Sequence, residues 1–456
     1  MLRASAIIEK AGIPSVSLVC DGFVGQAAAI RGGLGVPNTP IARIVGHVDS
    51  QSSEEIADNL RQVTLDDIRQ HLTTMPETAD PAAPESAGGD TGPVFQGTVE
   101  AINDFFEARG WSDGLPIVPP TCAHVDAFLE QTPDDPAREI GVLQPSGQLA
   151  TVQNVAVNGV MANCLPAHMP VLVAIAEAMA DPEYGVQHSG DTTGGEALVI
   201  LSGPAAERLG FNSAGGALRD GYRANTSVGR FVRLLLRNVA GFRPGGADKA
   251  TFGNTWRVVL AENTAAHEDL GWSGLSVDRG FAAEDTTVTV ARYTGGGVVG
   301  SIYGRTAAEI VPYLADGLVR QMSWEHAFTV GFAAGTIRPL LVLSPLVAKT
   351  LAKDGTGKQR LQHLLFEQAR LPAHKLETYV GLWCNLVPGR PSLNDLVDRG
   401  QASSAYAGTD PERLVPIAAR PEDFMIVVAG DPLRSNAYAF GHNGMHGFPT
   451  TRAVRS

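Results

Sequence analysis

The sequence predicts a mixed α/β protein in two parts. A small, incomplete βαβ unit of Rossmann-like, parallel type comes first, and a large pseudo-symmetric α/β domain with internal repeats follows. Three observations predict this. Helix-like and strand-like segments alternate over residues 1–75, a stretch of Pro, Ala, Gly and acidic residues interrupts the chain at 76–94, and a strand–turn–helix pattern recurs in residues 95–456.

In the first part, Leu2–Ala11 reads as a short helix, Ile13–Cys20 as an apolar strand and Gly22–Gly33 as a helix of small residues. Ile41–Val48 is a second strand, and Ser53–Leu72 a charged amphipathic helix capped by Ser52 or Ser53. This is the grammar of a parallel sheet. Two strands are too few to be covered on both faces, so further strands must come from the later domain or from another chain. Residues 76–94 have no apolar periodicity and read as a flexible, surface-exposed linker.

The second part opens with a helix, Thr98–Arg109, whose Ile102, Phe105 and Phe106 form an apolar stripe. Trp111–Thr121 follows, where an Asp-Gly turn and three prolines make a rigid, extended connection. Thr151–Asp181 reads as an apolar segment (Val152–Met161), a turn carrying Asn163 and Cys164, and an amphipathic helix entered through Pro166. The repeats come next. Ala197–Leu209 (ALVILSGPAAERL) echoes Leu340–Leu351 (LLVLSPLVAKTL), and Asp220-Gly221 precedes an apolar helix just as Asp354-Gly355 does. Copies therefore fall near 197–240 and 340–372, with a weaker third near 424–452. Strand-rich segments, Thr255–Glu262, Thr286–Ala291 and Val298–Tyr303, separate them. The spacing is too irregular for a solenoid, and a site between repeats is expected.

Composition narrows the function. With 44% hydrophobic and 18% charged residues the chain is a globular protein, and its net charge of −13 argues against nucleic acid or an anionic membrane as partner. No stretch has the apolar length of a membrane span, and no signal peptide is evident. Four cysteines, Cys20, Cys122, Cys164 and Cys384, lie far apart without a C-x-x-C motif, which fits a reducing, cytoplasmic location. No cofactor motif is evident.

Cys164 is the leading chemical candidate. Asn163 as N-cap and Pro166 in the first turn would place the thiol at a helix N-terminus, where partial positive charge favours the thiolate, and His168 would lie one turn on. A packed core cysteine is the competing reading. Cys164 and His168 lack neighbouring ligands, so no metal is expected there.

The glycine-rich loop from Phe211 to Arg230 is an anion-site candidate through Arg223, Arg230 and the helix start at Asn225 or Thr226. A repeat connector with salt-bridged arginines explains it equally well. Asp248, Lys249 and Glu262 flank turns or a strand end, and Glu262 would act as general base if buried near Cys164, burial raising its pKa. His188 with Asp191 forms a further polar loop. His442 and His446 lie in a glycine-rich tail and make a weak metal pair.

The run Ile7–Pro14 (IIEKAGIP), the strand ending Val19-Cys20, the helix Gly25–Arg31 and Leu34–Pro40 (LGVPNTP) resemble the second half of the UGSC family of (seleno)proteins. That family's domain carries a Sec/Cys-Gly-Ser-Cys motif just before the helix corresponding to Leu2–Ala11. The resemblance implies that this motif lies on a separate subunit, or upstream of a Met1 that is an internal start after a selenocysteine codon. VNGVMANCLPAHMPVLVAIAEA and GYRANTSVGRFVRLLLRNVAG resemble the long region found with such domains, which implies functional roles for Cys164, Arg223, Asn225 and Arg230.

The leading expectation is a cysteine-dependent thiol or selenol enzyme, an oxidoreductase or lyase. Cys164, His168 and Glu262 would be catalytic, and Asn163, Arg223, Asn225, Arg230, Asp248 and Lys249 would hold a small anionic substrate. Reductive or C–S/C–N bond chemistry with a UGSC-bearing subunit or missing segment fits that expectation, in a homo- or hetero-oligomer. Two alternatives stand beside it: a cofactor-free lyase or hydratase using Glu262 or His168, and a non-catalytic scaffold subunit of a heteromer.

Overall fold

Why the first 74 residues form a unit is visible in how their elements are tied. A computed structural model describes residues 2–74, 92–254, 256–330, 335–379 and 391–455. The linker expected at 76–94 falls outside the described residues except at its last three positions, and Cys384 also falls outside them. The unit comprises α1 (Leu2–Lys10), β1 (Ser17–Cys20), α2 (Val24–Gly33), β2 (Ile41–Ile44), α3 (Ser53–Asn59) and α4 (Leu65–Thr73). β1 and β2 pair in parallel, Ser17 with Ile41 through Cys20 with Ile44, as a sheet of two strands. Both strands are shorter than their apolar runs. β2 ends where Gly46 turns and gives its N–H to Asp21. Ser52 is the cap of α3, in a capping box with Glu55. One π-type turn, Leu60–Thr64, joins α3 to α4, and the Thr64 hydroxyl donates to Arg43 O on β2.

The large domain begins with α5 (Val99–Ala108), α6 (Cys122–Leu129), the antiparallel hairpin β3 (Glu139–Leu143) and β4 (Gln148–Thr151), then α7 (Val152–Met161) and α8 (Met169–Ala180). The apolar segment 152–161 is thus a helix, opened by a Thr151–Asn154 capping box. The first repeat supplies β5 (Glu196–Ser202), α9 (Ala205–Arg208), α10 (Arg223–Asn238), β6 (Val259–Ala261), the small helices α11 (Thr264–Leu270) and α12 (Leu275–Asp278), and β7 (Thr287–Val299). After α13 (Ala307–Thr329), the second supplies β8 (Leu340–Leu343), α14 (Pro345–Lys353) and α15 (Lys358–Gln368). An excursion of β9 (Arg370–Pro372), α16 (Ala373–Thr378), α17 (Leu393–Asp398) and β10 (Leu414–Pro416) precedes β11 (Met425–Val428), β12 (Ala437–His442) and β13 (Thr450–Ala453).

The main sheet has the order β11-β8-β12-β7-β5-β6. β5 runs parallel to β6 and β8 to β11, while β7 and β12 meet antiparallel at the centre. The order is therefore a palindrome of two three-strand units. β11 and β12 occupy in the second unit the places of β6 and β7 in the first. Within the segment 424–452, β11 and β12 pair with β8, and β13, from Thr450, pairs with β7.

The sheet curls until its outer strands meet, with Asn263 N–H after β6 donating to Val428 O on β11 at 2.8 Å. Alternation along each strand then fills two sides. Leu198, Ile200, Leu260, Leu340, Val342, Met425, Val427 and Phe440 pack together inside the curl. Val199 and Leu201 face the helices of the first half, and Leu341, Leu343, Ile426 and Val428 those of the second. Strands buried on both faces read as continuous apolar runs, which is why ALVILS and LLVL stand out in the sequence.

β7 is the strand the two halves share. Its first part pairs with β5, from Thr287–Ser202 to Tyr293–Glu196, and its last part with β12, from Tyr293–His442 to Val299–Ala437. The segments expected at 286–291 and 298–303 are parts of this one strand or its exit. β13 takes the edge of β7 beyond the end of β12. The loops entering β5 and leaving β12 consequently converge at the middle of β7, around Tyr293.

The N-terminal unit sits against this convergence. Arg3 Nη2 donates to Gln187 O (3.3 Å), Gln26 Nε2 to Ala247 O (3.2 Å) and Gln144 Nε2 to Gly33 O (3.4 Å). A side chain at Gly33 would come within 1.6 Å of Pro145 O, so the backbones touch directly there.

Candidate functional site

The structure brings Asn163, Cys164, Arg223 and Arg230 to one place, but each is committed to holding the fold. α7 ends at Met161, and Asn163 follows it with φ 64°, a left-handed turn asparagine tolerates. Asn163 is therefore part of the exit of α7, not the N-cap of α8. Cys164 is 5% exposed, and burial pushes its thiol pKa up despite the opposing charges of Arg223 and Arg230. The expected thiolate stabilisation is reversed, because desolvation outweighs partial charge at a helix end.

His168 is fully buried and fully used. Its Nδ1 accepts from Leu165 N–H (3.2 Å), so Nε2 carries the proton and donates to Leu209 O (3.1 Å). Burial lowers its pKa and keeps the ring neutral.

Arg223 donates to Asn163 Oδ1 (2.9 Å) and Asn163 O (3.3 Å). Arg230 forks onto Asp113 through Nε (3.0 Å) and Nη2 (2.7 Å), and reaches Leu115 O and Pro116 O. Burial opposes the Asp113 carboxylate, but the Arg230 bond and charge hold its pKa below the ordinary value. With Arg237 on Gly110 O and Asn238 on Trp111 O, α10 braces the Trp111–Thr121 connection.

Asn225 accepts from Asn212 N–H (2.8 Å) and donates to Asn212 O (2.9 Å) and Val259 O (2.8 Å), clamping the glycine-rich loop to β6. The helix starts ahead of it, at Arg223, so Asn225 is not the cap. Asp248 bonds Ala250 N–H and lies 3.8 Å from Arg233, and among the described residues Lys249 Nζ reaches only Gly245 O (3.4 Å).

Glu262 stands just past β6, 2% exposed, accepting from Leu275 N–H (2.9 Å) and lying 2.8 Å from His267 Nε2. Burial works against its charged form, yet His267 and Lys358 outweigh it and hold the carboxyl below the ordinary value. This reverses the raised pKa expected of a general base. Glu262 takes His267, not Cys164, as its partner.

A different group is assembled where the β5 and β12 loops converge. Asp191 Oδ1 accepts from the Thr193 hydroxyl (2.9 Å), Gly194 N–H (2.8 Å) and Gly195 N–H (3.0 Å). Gly194 has φ +73°, which glycine adopts freely and which lets the turn wrap the carboxylate. Oδ2 accepts from Asn443 Nδ2 and, at 2.8 Å, from His446 Nδ1. Burial raises the Asp191 pKa, but the bonds from His446, Gly195 and Thr193 win and bring it down to about 2.

The His446 ring stacks on His188, centroids 4.7 Å apart and planes 8° from parallel. Burial, then the charges of His446, Arg3 and Arg292, push the His188 pKa down to about 3, so that ring is neutral at physiological pH. Arg292, on β7, ties both loops together through Gly185 O (3.0 Å), Ser189 Oγ (3.3 Å) and His446 O (3.2 Å).

A carboxylate on Nδ1 fixes the tautomer and orientation of an imidazole and leaves Nε2 to take or give a proton. His446 is partly exposed, its side chain 17% accessible, and its Nε2 makes no hydrogen bond among the described residues. Sequence reasoning noted His188 with Asp191, and His446 with His442, as separate pairs. It missed their union because Asp191 and His446 are 255 positions apart and meet only through the pairing of β5 and β12 with β7. His442 belongs elsewhere, buried and accepting Arg338 N–H on Nδ1 at 3.1 Å. Among the described residues no group of three or more His, Cys, Asp or Glu is arranged to hold a metal ion.

Fold and site thus define a mixed α/β protein with a two-strand parallel unit seated beside a carboxylate–imidazole pair. Residues 1–74 match the UGSC family, and no curated protein matches the chain. No helix among the described residues is long and apolar enough to cross a membrane.

Proposed function

We propose that the chain is an enzyme of general acid–base chemistry, with His446 moving a proton on a small-molecule substrate, Asp191 orienting it and neutral His188 stacked against its ring. The observation carrying this reading is the 2.8 Å bond from His446 Nδ1 to a carboxylate whose other contacts are all donors, leaving Nε2 uncommitted. The reaction class is removal or return of a proton beside a carbonyl, as in a lyase or hydratase, and needs no cofactor. A positioned base of this kind supplies a rate factor of about 10²–10⁴.

The test has two parts. Diethyl pyrocarbonate should modify His446 in the full chain well before the buried His168, His267 and His442, as read by peptide mass spectrometry. Incubation with a panel of 2-oxo and 2-hydroxy acids in D2O should then show catalysed deuterium uptake that His446→Gln abolishes. An unreactive His446, or uptake unchanged in that variant, would refute the reading.

A second reading is favoured by the place of α1, whose Arg3 is bonded beside His188. In it, a thiol or selenol on a UGSC-bearing partner subunit approaches from that side and gives its proton to His446. Co-purification of such a subunit, with thiol reactivity that depends on His446, would separate it from the first.

A further inference from the structure

We propose that Arg3, from the UGSC-family segment, holds an oxyanion of the substrate beside the His188–His446 pair, so that the reactive site is built from both parts of the chain. This rests on the Asp191–His446 pair being the reactive centre.

The argument is one of unmet demand. Arg3 is half-buried, and its one hydrogen bond among the described residues runs from Nη2 to Gln187 O at 3.3 Å. Desolvation already lowers its pKa, and no carboxylate of the described residues pairs with it. Guanidinium groups withdrawn from water are normally forked onto a carboxylate or phosphate. Asp191, the carboxylate that acts on the same His188 ring, has both oxygens filled, Oδ1 by Thr193, Gly194 and Gly195 and Oδ2 by Asn443 and His446.

The remaining neighbours sharpen the imbalance. Arg292 gives its Nη groups to Gly185 O, Ser189 Oγ and His446 O, while its buried Nε has no partner and no carboxylate pairs with it among the described residues. Its charge and that of Arg3 both act on His188. The His188 ring thus feels the positive charges of His446, Arg3 and Arg292 with Asp191 opposing them, in a chain whose net charge is −13. A small carboxylate or phosphate between Arg3 and the stacked rings balances that field, and its attached carbon would lie within the reach of His446.

The test uses the full chain labelled with 15N-histidine, titrated with malonate and with inorganic phosphate at constant ionic strength. Saturable shifts of the His188 and His446 ring signals are expected. Arg3→Met should weaken the affinity about tenfold or more, the scale of a charge-assisted hydrogen bond, and Arg3→Lys less. Arg61→Met, at an exposed pair with Asp58, should change nothing.

Absence of saturable shifts, or shifts equal in Arg3→Met with unchanged circular dichroism, overturns the anion site. The same spectra report the His446 tautomer. If Nδ1 is protonated and neither anion binds, the anion site falls while the acid–base reading stands. If Nδ1 is unprotonated, the acid–base reading falls by itself, and dependence of anion binding on Arg3 still decides this inference.

Discussion

Two carboxylate–imidazole pairs in this chain have the same 2.8 Å separation, Asp191–His446 and Glu262–His267. They differ in everything that decides use. The first is an aligned hydrogen bond between loops from the two halves, with side chains 17% and 9% accessible. The second is a contact short of hydrogen-bond alignment, with side chains 6% and 2% accessible, and it ties the end of β6 to α11 and, through Leu275 N–H, to α12. Distance alone therefore does not mark a site. An imidazole works on a substrate when one nitrogen is fixed and the other is reachable, and it works on stability when the carboxylate is the hub of its surroundings.

The contrast can be broken most sharply by rates. His446→Gln should reduce turnover about 10²–10⁴-fold with little change in the unfolding midpoint, and Asp191→Asn should act in the same direction. Deuterium uptake and denaturant unfolding measured on one preparation decide this. A large stability loss with unchanged turnover would exchange the roles of the two pairs. Glu262→Ala should do the opposite, costing about 3 kcal/mol in urea unfolding by stranding the Leu275 N–H and the His267 ring, while activity per folded molecule persists.

Acid should weaken the Asp191 cluster next. The Asp191 pKa is depressed from 3.8 to about 2, so its contribution is present above the unfolded value and lost as pH falls through the folded one. The His188 pKa is depressed from 6.5 to about 3, so the folded state resists protonation. Its share of stability is whole above pH 6.5 and drains away as the unfolded chain takes up the proton on acidification. Both act in the same direction, and urea midpoints should fall steadily between pH 6.5 and 3. His188→Phe should lessen that slope, the remainder coming from His442, whose pKa burial also brings down to about 3, and an unchanged slope in the variant would remove His188 as a source.

Cys164→Ala is expected to cost only about 1 kcal/mol and to leave activity intact, since the thiol is packed among core side chains. Loss of turnover with stability retained would restore the thiol mechanism. Lys249→Ala should have the smallest effect, within about 0.5 kcal/mol, because its ammonium holds one loop carbonyl at 3.4 Å.

What was legible in the sequence was whatever neighbouring residues decide. ALVIL and LLVL are apolar at every position because both faces of β5 and β8 are covered, and their likeness pointed to two strands that hold matching places in the sheet. A serine cap at 52 or 53 and the charged pattern after it located one helix over 53–72, which the structure divides at the π-type turn Leu60–Thr64. Val152–Met161 (VQNVAVNGVM) was harder, since a short, mostly apolar segment fits a buried helix as well as a buried strand. Once it is a helix, Asn163 becomes its exit, and Cys164 is drawn into the core. The Glu262 pKa depended on His267 and Lys358, and the latter lies 96 positions away on α15. Asp191 and His446 carry no local signature of each other, because β7 alone sets their meeting.

The palindromic strand order also decides where the chain is fastened. Asp191 precedes the first three-strand unit and His446 follows the second, so their bond, with that of Asn443 to the same carboxylate, joins the way into the sheet to the way out of it. A sheet assembled from two like halves is thus clasped across its seam by side chains that belong to neither half's strands.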